Sequence, residues 1–522
     1  MGRTKLFSQL NRAIQGAQQS EGTPLQSRRE FLKTSAAMTL TTAFAYRFPA
    51  YAQAPSDPIL ILGAGAAGLA AAYHLQKAGI PFQILEASGR VGGRIMTQFA
   101  FGEQGQFIER GGEFVDTSHV TTIGLAHEMG LTVERIDTLD KGLEYSICSY
   151  AGQLYTDAEL IEGLRPLLKA VARARKEGAR ELEYDDTFDA RALKWDRMTL
   201  QEFLDSTRDS VSEWVRGIVA SAYTGEYGRD ASEQSALNLI TLISEKSKGG
   251  DGLFGSSDEC LRIQGGNSLL PLALAKKIQN RAPGSILTGA QVLALSRSAS
   301  KISVTYSLEG KTLQTSSSHV ICTLPYTVLR LVEGLETLGL SRIKLNCIQN
   351  LQYGQGCKTM VEFRSKLWRQ GNSLMPANVG SFYGDFASQS FWDSTRMQNG
   401  ANGILTCFQG GSKSVNVDVG GIQATILPDL ERLMPGIATD FVKGTVQNWT
   451  LNPLVGGSYA CLLAGQYSQI NGAQGESALG GRLLFAGEHT SDEFQGYMNG
   501  AYQTGIQAAE QIVRAFAKAS VF

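Results

Sequence analysis

The chain has 522 residues, 43% hydrophobic and 19% charged, which is enough apolar side chain for roughly two to four structural units and excludes wholesale disorder. A formal net charge of −1, with no long basic block beyond the first 54 residues, leaves nucleic-acid binding without electrostatic support, and none is expected. Seven scattered cysteines without a C-x-x-C pair do not form a disulfide framework, and five histidines without ligand spacing argue against a metal site.

The chain opens on polar residues 1–26, followed by Ser27-Arg28-Arg29-Glu30-Phe31-Leu32-Lys33 and a mildly apolar stretch from Thr34 to Tyr46. Ala52-Gln53-Ala54 then offers a small-residue cleavage site. A charged start, a short apolar run and that site compose an export signal, and the paired arginines with Phe-Leu-Lys behind them resemble the twin-arginine type. The apolar run is too short and too rich in Thr and Ala for a membrane span of ~20 residues. This resemblance implies the twin-arginine export machinery as a partner, cleavage after Ala54, and a mature protein that is periplasmic or secreted. Substrates of that route usually cross folded, often with a cofactor already in place.

Next, Pro58–Leu62 is an apolar strand, Gly63-Ala64-Gly65-Ala66-Ala67-Gly68 a glycine-rich turn, and Leu69–Lys77 a helix that Gly79 stops. Pro81–Leu85 is a second strand, ending at Glu86. Together they form a β-α-β unit with G-x-G-x-x-G at its first turn. Gly63 permits the tight turn, Gly65 lets backbone approach a pyrophosphate, and Gly68 lets helix and strand pack closely. The helix start around Ala67 offers unpaired N–H groups to phosphate, and Glu86 is placed to accept from a ribose.

Ala87-Ser88-Gly89-Arg90-Val91-Gly92-Gly93-Arg94 follows directly. An R-x-G-G-R segment after the ribose acid resembles the second FAD-binding segment of glutathione-reductase-type flavoproteins, and among them the flavin-containing amine oxidase family (monoamine oxidase and L-amino acid oxidase type). The resemblance implies FAD, with Ala87 and Gly93 lending backbone, and Arg90 and Arg94 meeting phosphate charge. Glu109-Arg110-Gly111-Gly112-Glu113-Phe114-Val115-Asp116 resembles the same family's glycine-glycine-acidic-aromatic segment, in which Gly111 to Phe114 would lie against the flavin.

Residues 126–254 are rich in helical pattern, as in Ala158–Glu177 and the capped Thr199–Thr207, and are expected to form a helical cover. Ser285–Val292 resembles the family strand that holds the adenine, with Val292 the contact, and His319–Pro325 a further apolar strand ending in Thr-x-Pro. Strand-like runs at Lys358–Phe363 and Gly403–Phe408 mark 335–468 as a sheet-bearing substrate domain. Lys358 matches the family lysine that reaches flavin N5 through a water, where it would stabilise charge developing on oxygen.

Gly456-Gly457-Ser458-Tyr459 and Gly496-Tyr497 resemble the two places where monoamine oxidases supply facing tyrosines. Tyr459 and Tyr497 would then form an aromatic cage that orients a neutral amine. Animal monoamine oxidases carry a flavin-linked cysteine just before the first cage tyrosine. Ser458 stands there in this chain, which implies non-covalent FAD. Finally Arg482–Ala486 is a strand, Gly487-Glu488 its turn, and Gln495–Ala501 opens a helix to about Phe516. There the resemblance has Glu488 holding the ribityl or pyrophosphate region, and Tyr497 and Met498 presenting amides to the flavin.

The expected fold is α/β. A discontinuous FAD-binding Rossmann-like domain spans 55–125, 255–332 and 470–522, with a helical insertion at 126–254 and a substrate domain at 335–468. The expected reaction is oxidative deamination of a small primary amine, with hydride passing to flavin N5 and oxygen returning as hydrogen peroxide. An L-amino acid oxidase is the alternative, disfavoured because Glu113-Phe114 stand where the snake-venom type has a carboxylate-binding arginine, although Arg110 or Arg229 could serve. Glu226, Asp230 and Glu233 keep a polyamine substrate in view, and a carotenoid-desaturase-like flavoprotein is a more distant reading. A homodimer is left open as the assembly.

Overall fold

The computed structural model describes residues 57–242 and 257–519, so the export signal, Arg28-Arg29 and the cut after Ala54 lie outside the described residues. Five strands run parallel in the order Leu483–Phe485, Val320–Cys322, Ile59–Leu62, Phe82–Glu86, Ile286–Thr288. They are short and apolar because this sheet is covered on both faces. Ile59 and Ile61 face one core with the helix Ala66–Lys77 and the last helix, Met498–Ala519, while Leu60 and Leu62 face the other. The alternation is the period of a strand. The strands come from the three separated stretches of chain read as one cofactor-binding unit.

The run Ser285–Val292 divides in two. Gly289 takes φ +76°, the Ala290 amide donates to the Glu86 carbonyl, and the chain leaves the parallel sheet. From Gln291 it enters an antiparallel meander of Gln291–Arg297, Ile302–Leu308 and Lys311–Ser317.

A second large sheet has seven strands in the order Phe441–Asn448, Gly356–Phe363, Gly403–Gly410, Ser390–Asp393, Phe382–Gly384, Ile147–Tyr150, Gln153–Tyr155. Five of these lie within 335–468. The last two come from the stretch expected to be a helical cover, through a parallel pairing of Ile147 with Phe382. That pairing is between distant segments, so no local pattern announces it. Much of the described remainder is helical, with capping boxes at Thr156 and Thr199 satisfying the first-turn amides of Asp157–Lys176 and Leu200–Asp205. All seven cysteines are buried, and none is joined in a disulfide.

Candidate active site

A cavity of about 310 Å³ opens beyond the carboxyl ends of the parallel strands, where Gly63, Glu86, Thr323 and Gly487 line it. Open α/β sheets bind ligands at this edge. From the opposite side the seven-stranded sheet supplies Gly356, Lys358, Trp392 and Phe408. The cavity therefore joins the two sheets.

At the parallel-sheet end the glycines divide by role. Gly63 sits at φ +104°, and a Cβ there would lie 2.6 Å from Thr323 Oγ1. Gly68 is the one residue of the anticipated site that does not line the cavity; its Cβ would fall 1.9 Å from the Gly63 carbonyl oxygen, so it serves helix–strand packing. Gly65 faces open space, its nearest neighbour to a Cβ being Gly93 Cα at 4.0 Å. Ala66 and Ala67, in the first turn of a helix without a side-chain cap, line the same space. Amides of that turn lack intrahelical partners, which suits phosphate.

Glu86, Ala87, Arg90, Gly93, Arg94 and Val292 also line this end. Glu86 accepts from the Ala64 amide at 2.7 Å, the Ser88 amide at 2.8 Å and Ser88 Oγ at 2.6 Å. Arg90 donates to the carbonyls of Val91, Ile95 and Gly93, so in this structure it braces its own loop. Arg94 crosses the molecule, donating to Glu488 at 2.8 Å and to the Ser458 carbonyl at 2.5 Å. Glu488 in turn accepts from the Gly496 amide at 2.8 Å and the Ala460 amide at 3.2 Å. The backbone at Gly111 and Gly112 approaches closely: a Cβ at Gly111 would meet the Arg94 carbonyl at 1.8 Å, and one at Gly112 would meet Met498 Sδ at 2.8 Å.

Lys358, Tyr459 and Tyr497 line the same cavity as Glu113, Phe114, Trp392 and Phe408. Lys358 Nζ donates to Glu113 Oε2 at 2.8 Å, the Gly111 carbonyl at 2.8 Å and the Glu109 carbonyl at 3.3 Å. Tyr459 donates its hydroxyl to the Gly225 carbonyl at 2.8 Å, which fixes its ring. Tyr497 packs edge-on against His119 (4.9 Å between centroids, 63°), and burial keeps its hydroxyl far above the ordinary phenol range. His119 accepts the Asp116 amide at Nδ1, 3.0 Å away. Burial lowers its pKa to about 4, so the ring is neutral, while burial raises Asp116 to about 7 and Glu109 to about 8.

Several charged residues considered from sequence stand elsewhere. Arg110 binds Gln98, Gln447 and Thr445, and Arg229 binds the Tyr353 carbonyl, Gln352 and Glu233; neither lines the cavity. Asp230 accepts the Ser412 amide, and Glu226 is fully buried in the helix Glu213–Tyr227. Conversely, Trp392, Phe408, Trp449 and Glu259 line the cavity without having been singled out. A signal existed for Phe408, which pairs directly with Lys358 across neighbouring strands. Glu259 carried none, since its place depends on its amide donating to Asp116 Oδ1 at 2.9 Å.

The sequence profile of the flavin containing amine oxidoreductases matches residues 66–513. The chain belongs to that family. This amine oxidoreductase is an enzyme acting on CH–NH2 groups, and the family implies a flavin cofactor. Gly65, Gly93 and the uncapped helix start fit such a group. The oxidoreductase is 27% identical over 495 residues to the flavin-dependent L-tryptophan oxidase RebO of Lentzea aerocolonigenes, covering 87% of this chain and 97% of that protein. It is 23% identical over 476 residues to an L-amino-acid oxidase of Naja atra, covering 88% and 89%. Among solved structures, a putrescine oxidase bound to putrescine superposes with TM-score 0.72 at 22% identity, over 88% of this chain and 99% of the other. Cyclohexylamine oxidase from Brevibacterium oxydans gives 0.73 at 21%, with the same coverage. These last two likenesses concern the fold.

Proposed function

We propose that the enzyme binds FAD without a covalent link and oxidatively deaminates a small primary amine carrying an apolar, preferably aromatic, side chain. One observation carries the choice of amine. Among the described residues lining the cavity, the only cations are Arg90, which braces its own loop, Arg94, which is paired with Glu488, and Lys358, which is paired with Glu113. A substrate carboxylate entering among Phe114, Trp392, Phe408, Tyr459 and Tyr497 would meet no uncommitted guanidinium, and burying it unpaired is costly.

The same walls favour the neutral amine over the ammonium ion, and the fixed rings of Tyr459 and Tyr497 orient its nitrogen. Apolar surroundings also exclude water during the transfer. Bound FAD would supply the hydride acceptor and the route of electrons to oxygen; the net change is R–CH2–NH2, O2 and H2O to R–CHO, NH3 and H2O2. The non-covalent reading is supported by Ser458, whose hydroxyl donates to the Gly354 carbonyl at 3.0 Å, and by a lining that contains no cysteine among the described residues. Acid precipitation should then release all yellow colour into the supernatant.

The L-amino acid reading is supported by the relatives, several of which carry L-amino-acid oxidase names. Matched pairs that differ only in the carboxylate separate the two. Without oxygen, phenethylamine should bleach the flavin at least tenfold faster than L-phenylalanine, and tryptamine faster than L-tryptophan. The reverse order would make the enzyme an L-amino acid oxidase, and no bleaching by either class would sink the oxidase reading. We also propose export by the twin-arginine route, which rests on Arg28-Arg29 and Ala52-Gln53-Ala54. Replacing both arginines by lysine should retain the protein in the cytoplasm.

A further inference from the structure

Lys358 stands in the cavity wall with its ammonium already satisfied. An ammonium has three donors, and Glu113, Gly111 and Glu109 supply three acceptors within 3.3 Å. The acceptor that matters electrostatically is Glu113. Its carboxylate lies 2.8 Å from Nζ, both side chains are more than nine-tenths buried, and both line the cavity. Glu113 is itself held: Ser394 Oγ donates to its other oxygen at 2.9 Å and sits 2.6 Å from Thr406 Oγ1. Across the ammonium lies the Trp392 ring, 5.3 Å from Nζ to centroid. This is a fixed, neutral pair in a low-dielectric wall. A negative charge developing in the cavity meets a dipole there, whose field falls off faster than that of a lone cation.

We propose that Glu113 masks the charge of Lys358 and thereby restrains the reaction of the reduced cofactor with oxygen. In that reaction two electrons and two protons pass to O2, giving H2O2, and negative charge builds on oxygen before the protons arrive. A bare ammonium stabilises that charge, whereas the Glu113–Lys358 pair largely withholds it. Glu113 is a positioning residue: it acts through Lys358 and sets how readily this enzyme uses oxygen as its acceptor.

The inference rests on the flavin amine oxidase reading, and the experiment separates the two. Wild-type enzyme bleached by amine and recoloured by air upholds that reading irrespective of Glu113. The Glu113→Gln variant keeps an oxygen for Lys358 to bond but removes the opposing charge. Its second-order rate of reoxidation should rise about tenfold or more, relative to its own rate of reduction by substrate. Sulfite, which adds to oxidised flavin as an anion, should bind E113Q more tightly, and the midpoint potential of the flavin should rise. Glu113→Asp, which retains a carboxylate, should stay near wild type. Lys358→Met should slow reoxidation only modestly in the wild-type background and far more in E113Q. The proposal is overturned if E113Q reoxidises no faster than wild type. It is equally overturned if Lys358→Met costs the same in both backgrounds, or, should E113Q not fold, if that substitution alone slows native reoxidation a hundredfold.

Discussion

Gly65 and Gly68 sit three residues apart, and a methyl group added to each meets opposite surroundings. At Gly68 it would lie 1.9 Å from the Gly63 carbonyl oxygen, an overlap that only movement of the helix away from the strand can relieve. At Gly65 it meets no protein atom closer than 4.0 Å and projects into the cavity. Gly68→Ala should therefore destabilise the whole protein, by about 2 kcal/mol or more, as for overpacking in a core. Gly65→Val should leave the melting temperature of flavin-free protein within about 2 °C of wild type while lowering flavin content severalfold. Thermal denaturation of stripped protein and the ratio of visible to ultraviolet absorbance measure both effects. Equal loss of stability in the two variants would mean that Gly65 is only a packing residue.

At the scale of elements, the site is a meeting of two strand–turn–helix units from opposite ends of the chain. The first and last helices among the described residues, Ala66–Lys77 and Met498–Ala519, pack against each other on one face of the parallel sheet. Arg94 and Glu488 extend that union into the cavity wall, and Glu488 also holds the Ala460 and Gly496 amides. One carboxylate thus fixes the backbone beside both Tyr459 and Tyr497. Glu488→Ala removes three accepting contacts and leaves Arg94 without its countercharge, so it should cost about 2–3 kcal/mol in unfolding free energy. It should also loosen the tyrosines, raising KM for amine more than Glu488→Gln, which keeps an oxygen for the amides. Urea unfolding and steady-state kinetics on both variants test this; identical behaviour of the two would show that charge and hydrogen bonding at Glu488 are immaterial.

On the scale of the whole molecule, Glu109 reports how completely the parts enclose the site. Its carboxylate accepts from Thr97 Oγ1 at 2.8 Å and the Asn267 amide at 2.7 Å, yet burial still raises its pKa from 4.5 to about 8. The folded state therefore keeps a proton that the unfolded chain gives up near pH 4.5. By linkage, this stability is fully present below pH 4.5 and is lost as pH rises toward 8. Its size is on the order of a few kcal/mol. Wild-type melting temperature should fall between pH 5 and 8, and Glu109→Gln should flatten that fall. A profile unchanged by the substitution would mean that Glu109 is ionised in the folded protein.

The glycine-rich end of the cavity was legible because its requirements are local. A tight turn, a close backbone approach and a free helix start each demand particular residues within a few positions, and Gly63, Gly65, Gly68 and Glu86 show them in one turn and the strand after it. Lys358, Tyr459 and Tyr497 were legible only through family resemblance, since a single lysine or tyrosine has no local signature. Beyond reach were the strands Ile147–Tyr150 and Gln153–Tyr155 joining a sheet built from residues after 355, and Glu259 entering the cavity. Both depend on partners more than a hundred residues away, Phe382 and Asp116.

The sequence by itself determined the β-α-β unit and the glycine segments at both ends, because these rest on backbone conformation encoded over short spans, and it pointed to the family through the resemblance of those segments. Only the tertiary structure decided which charges face the cavity. It turned Arg110 and Arg229 away and paired Lys358 with Glu113. The physical reason is that electrostatics depends on distance and burial, and neither exists until remote segments have packed.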